Sequence, residues 1–295
     1  MARLGFIGIG NMGLPMLRNL LKAGHEVVAF DVSPAHLEAA RMAGATAAAS
    51  AVDAAKGAEM VLTMLPAGRE VAEVYLGSGG LLAAAASGAL LADCSTIDVE
   101  TARRVHGAAA ERGLALVDAP VSGGVAGAEA ATLTFMVGGT AEAFERVRPV
   151  LATMGKAVIH AGGAGTGQAA KICNNMILGV SMIAVAEAFV LAEKLGLGHE
   201  KLFEIASRSS GQCWSLTSYC PVPGPVPSSP ANRDYRAGFT AAMMLKDLRL
   251  AEAAAVTTGA ATPLAAEAAA LYALYVAAGE GGVDFSGIIR MIRGG

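Results

Sequence analysis

A glycine-rich turn between an apolar run and a helical pattern constrains the fold of this sequence more than any other feature. The run Arg3 to Ile9 has the character of a β-strand, and Met12 to Ala23 has the apolar spacing of a helix. Gly8, Gly10 and Gly13 stand in the turn between them. A G-x-G-x-x-G turn in this context is typical of a dinucleotide-binding β-α-β unit. The sequence therefore predicts a nucleotide-binding α/β domain at its start.

Each glycine of this turn has a separate physical reason. Gly8 permits the tight turn, Gly10 lets the backbone approach a pyrophosphate, and Gly13 lets the helix and the strand pack closely. The free N–H groups at the start of the following helix favour phosphate. The predicted contacts with the pyrophosphate are Gly8, Gly10, Asn11, Met12 and Gly13.

An acidic residue after the second strand indicates which dinucleotide binds. The strand His25 to Phe30 is followed by Asp31, and no arginine comes directly after it. A carboxylate at this place accepts hydrogen bonds from the ribose hydroxyls and repels a 2′-phosphate. We therefore expect NAD, in preference to NADP, as the cofactor.

The rest of the first half continues the alternation of strands and helices. Further strands are predicted at Met60 to Met64, Ala89 to Asp93, Ala115 to Asp118 and Leu133 to Val137. Helices are predicted at Pro34 to Ala43, Val99 to Arg112 and Ala141 to Leu151. Such alternation favours a mostly parallel sheet covered by helices on both faces, which is a Rossmann architecture.

After Gly162 the pattern becomes purely helical. One long helix is predicted from Gly167 to Leu195, and further helical patterns follow without strands. We expect an N-terminal Rossmann NAD-binding domain at 1–164 and an all-helical substrate and oligomerisation domain at 165–295. Five prolines between Pro221 and Pro230 exclude a helix or a central strand there, so this stretch is an ordered loop or a lid.

Two loops after predicted strands should border the cofactor, because ligands of open α/β sheets bind beyond the carboxyl ends of the strands. Leu65 and Pro66 follow one strand, and Ser95 and Thr96 follow the next. The same residues could instead form an ordinary proline turn and a helix N-cap. We expect contact with NAD at both loops.

Hydride transfer also needs a group that handles the hydroxyl proton. The four cysteines and five histidines lack zinc-ligand spacing, and none of the five tyrosines is followed by a lysine four residues on. Lys171, Asn174 and Asn175 share one face of the long helix, and burying them without a purpose would be costly. We expect Lys171 to take the alcohol proton while the nicotinamide takes hydride, and Asn175 to bond the hydroxyl. A snorkelling surface lysine is the alternative.

The segment from Asp118, DAPVSGGVAG, follows a strand and offers a second candidate site. Ser122, Gly123 and Gly124 present a hydroxyl and successive backbone N–H groups, an arrangement suited to a carboxylate. Taken alone, this motif fits a tight glycine turn better.

Bulk properties exclude other classes of function. The net charge of −3 leaves no electrostatic footprint for nucleic acid or an anionic membrane. The chain starts directly in the first strand, so no signal peptide is expected, and the apolar run Met176 to Ala186 is shorter than the roughly 20 residues of a membrane span. The cysteines form no CxxC pair, and a disulfide between Cys213 and Cys220 is disfavoured. We expect a cytoplasmic protein with reduced thiols.

Four stretches together resemble the 3-hydroxyisobutyrate dehydrogenase group of the β-hydroxyacid dehydrogenase family. They are GFIGIGNMGLPM from Gly5, DAPVSGGVAGA from Asp118, GTGQAAKICNN from Gly165 and KDLRLA from Lys246. The resemblance covers nearly the whole chain and implies a Rossmann domain joined to a helical domain, with the active site between them. It also implies Lys171 as the catalytic residue, the Ser122–Gly124 loop as the substrate carboxylate site and Lys246 near the nicotinamide. Asp247 is implied as a less certain contributor.

The resemblance also indicates a substrate, a small 3-hydroxy acid. The segment from Gly211 is similar to 3-hydroxyisobutyrate enzymes, and Trp214 and Phe239 could wall the pocket or simply pack in the core. This favours oxidation of 3-hydroxyisobutyrate to methylmalonate semialdehyde in valine catabolism. Tartronate, glyoxylate or succinic semialdehyde reductase and serine dehydrogenase remain alternatives, as does a non-catalytic NAD-binding regulator. The 6-phosphogluconate branch is disfavoured, because those enzymes have His where Asn174 or Asn175 stands.

The length of the apolar helix predicts self-association. One small domain cannot cover the whole helix from Gly167 to Leu195, so we expect a homodimer or homotetramer.

Overall fold

A computed structural model of the chain describes residues 1–294, so Gly295, the last residue of the predicted second domain, lies outside the described residues. The chain divides into two compact units, Met1–Lys171 and a second unit that begins at Ile172. This division falls within a helix, whereas the sequence-based boundary lies at residue 165 and stays a prediction.

Within the described part of the chain, one nine-stranded sheet forms the centre of the first unit. Its strands are β1 (Arg3–Ile7), β2 (Glu26–Phe30), β3 (Thr46–Ala47), β4 (Met60–Thr63), β5 (Leu90–Asp93), β6 (Ala115–Asp118), β7 (Val121–Ser122), β8 (Leu133–Gly138) and β9 (Gly155–Gly162). The order is β3-β2-β1-β4-β5-β6-β8-β7, and β9 pairs with β8. Neighbours from β3 to β6 are parallel, whereas β8 is antiparallel to β6 and β7.

Helices cover both faces of this sheet, because its strands are apolar on both sides. On β1, Leu4 and Phe6 pack in one buried cluster, while Ile7 belongs to a second cluster that contains Tyr75. The helices of this unit are α1 (Gly13–Lys22), α2 (Pro34–Met42), α3 (Ala51–Ala55), α4 (Gly68–Leu76), α5 (Leu81–Ala84), α6 (Val99–Ala110), α7 (Gly124–Glu129) and α8 (Ala141–Leu151). The predicted α/β architecture is confirmed.

The six predicted strands and four predicted helices of the first unit are all present, with ends that differ by at most two residues. The short strands β3 and β7, the longer strand β9, and the helices α3, α4, α5 and α7 were not predicted from the sequence. Most residues of β9 are at least partly exposed, so it lacks the apolar signature of a buried strand.

The long helix α9 (Thr166–Lys194) begins in the first unit and continues into the second. The second unit is otherwise built from α10 (His199–Ala206), α11 (Trp214–Thr217), α12 (Ala241–Thr258), α13 (Pro263–Ala277) and α14 (Ile288–Arg293). Met182, Phe189, Met244, Leu248 and Tyr272 form the centre of its buried core. The prediction of an all-helical second half is confirmed.

The proline-rich stretch is an ordered loop that ends in a short 3-10 helix, Pro230–Arg233. The Ser229 hydroxyl donates to the carbonyl of Cys220 at 2.5 Å, and the Tyr235 hydroxyl donates to the carbonyl of Pro221 at 2.7 Å. Val222 and Val226 are buried in the core. These contacts anchor the loop at both ends.

Helix α9 is as long as the predicted helix, but its apolar part is longer than the sequence pattern suggested. Among residues 1–294 it alone has the length and composition of a membrane span, with a mean hydropathy of 1.9 in its most apolar window. The estimate from Met176 to Ala186 was too short because it stopped at Glu187, although a span tolerates an isolated charge. Met182, Ala186 and Phe189 of this helix are buried within the protein itself. We therefore interpret α9 as the core helix of the second unit.

Candidate active site

Two of the three glycines in the turn after β1 are required by the packing of the protein itself. Gly8 has φ +92°, and a Cβ there would lie 2.3 Å from the carbonyl oxygen of Met64. A Cβ on Gly13 would lie 2.0 Å from the carbonyl oxygen of Gly8. Gly10 differs, because a Cβ there would meet no atom within 4 Å and its φ is not positive. The space beside Gly10 therefore suits a ligand that approaches the backbone closely.

The start of α1 offers backbone donors beside this space. Met12 is the N-cap residue, and its side chain makes no capping hydrogen bond. Asn11 is exposed and Met12 is half-buried. The first N–H groups of a helix lack partners within the helix, so they can bind a phosphate oxygen.

Asp31 is held in place by two backbone donors that were not foreseen from the sequence. Its Oδ2 accepts from the N–H of Ile9 at 2.6 Å, and its Oδ1 accepts from the N–H of Ser33 at 2.7 Å. His36 Nδ1 lies 3.3 Å from Oδ1. A carboxylate accepts about four hydrogen bonds, so both oxygens keep capacity for ribose hydroxyls. The carboxylate thus also ties the glycine turn to the end of β2.

The loops after β4 and β5 are joined to each other by a serine. The Ser95 hydroxyl accepts from the N–H of Leu65 at 2.8 Å and donates to Asp93 Oδ1 at 2.5 Å. Ser95 is fully buried, whereas Thr96 is half-buried and Pro66 is exposed. The hydroxyl of Ser95 is thus engaged within the protein. Contact of these loops with NAD stays a prediction, and Thr96 and Pro66 are the better placed for it.

A buried polar network lies behind these loops. Asp93 Oδ1 accepts hydrogen bonds from the Thr63 hydroxyl at 2.7 Å and from the N–H of Ser95 at 3.2 Å, as well as from the Ser95 hydroxyl. The Tyr75 hydroxyl lies 2.9 Å from the Thr63 hydroxyl. Burial raises the pKa of Asp93, and the charge of Asp118 adds to this, although the hydrogen bonds from Ser95 and Thr63 oppose it. In the sequence, Asp93 is visible as an aspartate at the end of an apolar strand, but it was not predicted as a site residue.

The loop that is predicted to bind the substrate carboxylate has backbone angles that glycine adopts more easily than other residues. Strand β7 ends at Ser122, and the backbone then passes through Gly123 at φ +136° and Gly124 at φ +62°. Helix α7 begins at Gly124. Successive backbone N–H groups at such a bend can form a concavity that favours an anion. Binding of the substrate carboxylate here stays a prediction.

The first turn of α9 is fastened to the first unit by two side chains. The Asp118 carboxylate accepts from the N–H groups of Gly165 and Gln168, both at 2.9 Å, and His106 Nε2 lies 2.9 Å from the same carboxylate. Gln168 is itself fully buried. Its Oε1 accepts from the N–H of Ile97 at 3.0 Å, and its Nε2 donates to the carbonyl of Ser95 at 2.7 Å.

Lys171 lies one turn beyond Gln168 and is only 7% exposed. It is thus no surface lysine. A buried ammonium or amine needs a polar environment, which agrees with a functional role. The catalytic role of Lys171 stays a prediction from the sequence, whereas the hydrogen bonds of Gln168 and Asp118 were not predicted.

In the second unit, Asn175 is bonded to an aspartate that lies far along the chain. Asn175 is 1% exposed, and its Nδ2 donates to Asp247 Oδ2 at 2.5 Å. Asn174 Nδ2 donates to Asn175 Oδ1 at 3.0 Å. Lys246 Nζ lies 3.3 Å from Asp247 Oδ1. Asp247 therefore fixes the orientation of the Asn175 amide, a pairing that was not predicted from the sequence.

Trp214 and Phe239 belong to one aromatic cluster of the second unit. Trp214 is 52% exposed and stacks on Tyr219 with ring centres 4.9 Å apart, while Phe239 contacts Phe285 edge to face. The buried carboxylate of Asp284 accepts from the Tyr219 hydroxyl at 2.9 Å and from the N–H of Phe239 at 3.2 Å. Asp284 thus anchors Phe239 directly and Trp214 through Tyr219, on which Trp214 stacks. Their contact with substrate stays a prediction.

Comparison with known proteins identifies the family. A model of the NAD-binding domain of 6-phosphogluconate dehydrogenase matches residues 3–163, and a model described as the NAD-binding of NADP-dependent 3-hydroxyisobutyrate dehydrogenase matches residues 165–292. A 3-hydroxyisobutyrate dehydrogenase of Pseudomonas aeruginosa is 51% identical over an alignment of 296 residues that covers 100% of this chain and 99% of that protein. The chain belongs to the 3-hydroxyisobutyrate dehydrogenase family. It is an NAD-dependent dehydrogenase.

Two further members of the 3-hydroxyisobutyrate dehydrogenase family are equally similar. An NAD-dependent L-serine dehydrogenase of Pseudomonas aeruginosa is 50% identical over 291 residues, which are 99% of this chain and 98% of that protein. The structure of the 3-hydroxyisobutyrate dehydrogenase of Mycobacterium tuberculosis with L-serine has a TM-score of 0.95, 50% identity and 99% coverage of each chain. Activities on two different 3-hydroxy acids thus occur among equally similar relatives.

The residues present suit the cofactor of this family. The open space at Gly10, the uncapped start of α1 and the anchored carboxylate of Asp31 lie along the carboxyl ends of β1 and β2, where a dinucleotide binds in a Rossmann domain. Among residues 1–294, no group of three His, Cys, Asp or Glu side chains is arranged to hold a metal ion. An organic side chain, Lys171, stays the predicted group for the proton.

Proposed function

We propose that the chain oxidises 3-hydroxyisobutyrate to methylmalonate semialdehyde in valine catabolism, with Lys171 as its general acid and base. The observation that carries the proposal is the burial of Lys171, one helical turn after a glutamine that is bonded to the loop following β5. Loops at the carboxyl ends of these strands are where ligands of Rossmann domains bind.

The chemistry assigned to each residue balances for a two-electron oxidation. NAD, when bound, supplies the hydride acceptor. The neutral amine of Lys171 takes the proton of the substrate hydroxyl, and the ammonium returns it to the oxygen in the reverse direction. The Asn175 amide nitrogen carries two hydrogens, so it has a donor for the hydroxyl oxygen besides the one bonded to Asp247.

The remaining candidate residues bind and orient the substrate. The backbone donors of Ser122, Gly123 and Gly124 bind the carboxylate, whose charge they neutralise in part. Lys246 stands close to the nicotinamide, as the family resemblance implies, and Asp247 keeps Asn175 in its productive orientation. Trp214 and Phe239 enclose the methyl branch of the substrate.

L-serine oxidation is the second candidate function. It is supported by the L-serine dehydrogenase at 50% identity and by the related structure that contains L-serine. L-serine differs from 3-hydroxyisobutyrate in carrying an ammonium where the latter carries a methyl group. A polar group facing that position would favour serine, whereas the aromatic rings of Trp214 and Phe239 would favour the methyl group.

We also propose that a second copy of the chain covers one face of α9. Ile177 and Leu191 recur on one side of this helix and are 66% and 58% exposed, and Leu195 just beyond its end is 75% exposed. Exposed apolar residues in such a row are typical of an oligomer interface. The four cysteines are free thiols, which supports the cytoplasm as the compartment.

The substitution Lys171→Ala tests the proposed role of the lysine. We expect turnover to fall by about a thousandfold or more, because the proton acceptor is lost, while the affinity for NAD stays unchanged. NADH absorbance measures the first and fluorescence titration the second. Lys194→Ala, at the exposed end of the same helix, is the matched control and should keep full activity. A loss of less than about tenfold in Lys171→Ala would contradict the assignment.

A substrate panel distinguishes the candidate functions. It consists of 3-hydroxyisobutyrate, L-serine, glycerate and 4-hydroxybutyrate, each compared by kcat/KM with NAD. The highest value for 3-hydroxyisobutyrate supports the first proposal, and the highest value for L-serine replaces it by the second. Turnover of no member would contradict both proposals.

A further inference from the structure

The side chain of Gln168, in the first turn of α9, has to donate one hydrogen bond and accept another. Gln168 faces the N–H of Ile97 at 3.0 Å and the carbonyl of Ser95 at 2.7 Å. A primary amide satisfies both groups, whereas a carboxylate only accepts and a thioether does neither well. Gln168 is fully buried, so water cannot replace either hydrogen bond.

The loop after β5, to which Gln168 is bonded, is itself held in place by hydrogen bonds. The Ser95 hydroxyl is bonded to Asp93 and to the N–H of Leu65, so the loop after β5 is tied to the loop after β4. From the other side, the Asp118 carboxylate accepts from the N–H of Gln168 at 2.9 Å. The backbone and the side chain of Gln168 are therefore fixed by separate partners in the first unit.

Lys171 follows Gln168 by three residues, which places the two on the same side of the helix about 4.5 Å apart along its axis. A helix is stiff over one turn, so a shift or rotation at Gln168 moves the amine of Lys171 by a similar distance. We propose that Gln168 is a positioning residue: its two hydrogen bonds to the loop after β5 set where the amine of Lys171 stands. This inference rests on the proposed role of Lys171.

Catalysis by a general base is sensitive to such shifts. A displacement of about 1 Å costs on the order of a hundredfold in rate, even though the residue that causes it lies away from the reacting atoms. We therefore expect Gln168 variants to lose kcat and to keep most of their affinity for NAD. This pattern separates positioning of the lysine from support of the cofactor loop.

The pH dependence of kcat in the variant Gln168→Glu tests whether residue 168 must both donate and accept a hydrogen bond. The introduced carboxylate, when ionised, would place an acceptor oxygen against the carbonyl oxygen of Ser95, which is also an acceptor. Its protonated form would restore both hydrogen bonds. We expect kcat about 100-fold below the wild type at about pH 8, and the ratio of variant to wild type should rise about tenfold or more as the pH falls to about 6. A ratio of variant to wild-type kcat that does not change with pH would contradict the need for both a donor and an acceptor at residue 168.

Gln168→Met removes donor and acceptor and should reduce kcat about 100-fold at every pH. The NAD dissociation constant of both variants should remain within about threefold of the wild type. A Gln168→Met enzyme with wild-type kcat overturns the proposal, and so does an NAD affinity that falls as much as kcat does.

Two controls separate these outcomes from general destabilisation and from failure of the proposed function. Thr140→Ala removes the hydroxyl that caps α8, in the same unit and at an exposed position, and should lower stability without lowering kcat. If Lys171→Ala keeps its turnover, the role of the lysine fails. If Lys171→Ala loses turnover and the Gln168 variants keep it, only the positioning role fails.

Discussion

Replacing Asp93 by alanine should lower the free energy of unfolding of the first unit by about 4 kcal/mol. The side chain is buried, and its Oδ1 accepts from the Thr63 hydroxyl, the Ser95 hydroxyl and the N–H of Ser95. Leaving the backbone N–H of Ser95 without an acceptor costs about 1–3 kcal/mol. Each lost hydroxyl hydrogen bond costs less, about 1 kcal/mol, because a hydroxyl can rotate toward another acceptor. The cavity left by the carboxyl adds to this sum.

Asp93→Asn should be much milder, because the amide oxygen still accepts from the same donors. Burial raises the pKa of Asp93 above its ordinary value of 3.8, so the folded state binds the proton more tightly than the unfolded chain. The stability contributed by this group is therefore present below about pH 3.8 and declines as the pH rises toward the folded pKa, by up to about 1.4 kcal/mol per pH unit. Asp93→Asn has no proton to lose, so its stability relative to the wild type should improve across that window.

Differential scanning calorimetry measures both effects. For a unit of this size, about 1 kcal/mol shifts Tm by about 2–4 °C, so we expect Asp93→Ala to melt about 8–16 °C below the wild type. Asp98→Ala, which removes the half-exposed carboxylate that caps α6, is the control and should cost about 1 kcal/mol. A loss of less than about 2 °C in Asp93→Ala would refute the reasoning, as would Asp93→Asn melting as low as Asp93→Ala.

Two further predictions concern the cofactor and the assembly. Asp31→Ala should weaken NAD binding by about tenfold and NADP binding less, because the loss of the hydrogen bonds from Ile9 and Ser33 affects both cofactors, whereas the ribose contact concerns NAD. Fluorescence titration with each cofactor measures this, and equal losses would count against the ribose contact. Sedimentation equilibrium should give the mass of a dimer or tetramer, because Ile177 and Leu191 leave one face of α9 apolar; the mass of a single chain would contradict this.

The features of the candidate site that could be predicted from the sequence are those whose physical reason is local. A Cβ on Gly13 would collide with the carbonyl of Gly8, five residues earlier, so the constraint is visible in the motif itself. The strands and helices of the Rossmann domain were predictable for the same reason, because their apolar periodicity lies within each element. Lys171 and Asn175 were recognisable as polar residues on an apolar helix.

The parts that escaped prediction depend on partners far along the chain. Gln168 contacts Ser95 across 73 residues, and Asn175 contacts Asp247 across 72 residues. Neither spacing follows from a local pattern, and the family resemblance named Asp247 without naming what it binds. Strand β9 was missed because it lies beside β8 with most of its residues at least partly exposed, so its identity depends on pairing rather than on hydrophobicity.

A line of buried hydrogen-bonded residues connects α4 to α9 in the first unit. It runs from the Tyr75 hydroxyl through Thr63 and Asp93 to the Ser95 hydroxyl, and the backbone carbonyl of Ser95 accepts from Gln168 on the helix that carries the lysine. Polar groups in such a line strengthen one another, but each becomes costly when its neighbour is removed. If the line acts as one unit, the loss in kcat from Gln168→Met and the loss from Asp93→Ala should not add in the double variant. Additive losses would instead mean that Asp93 and Gln168 affect kcat independently, and an unchanged kcat in Asp93→Ala would mean that Asp93 only stabilises the fold.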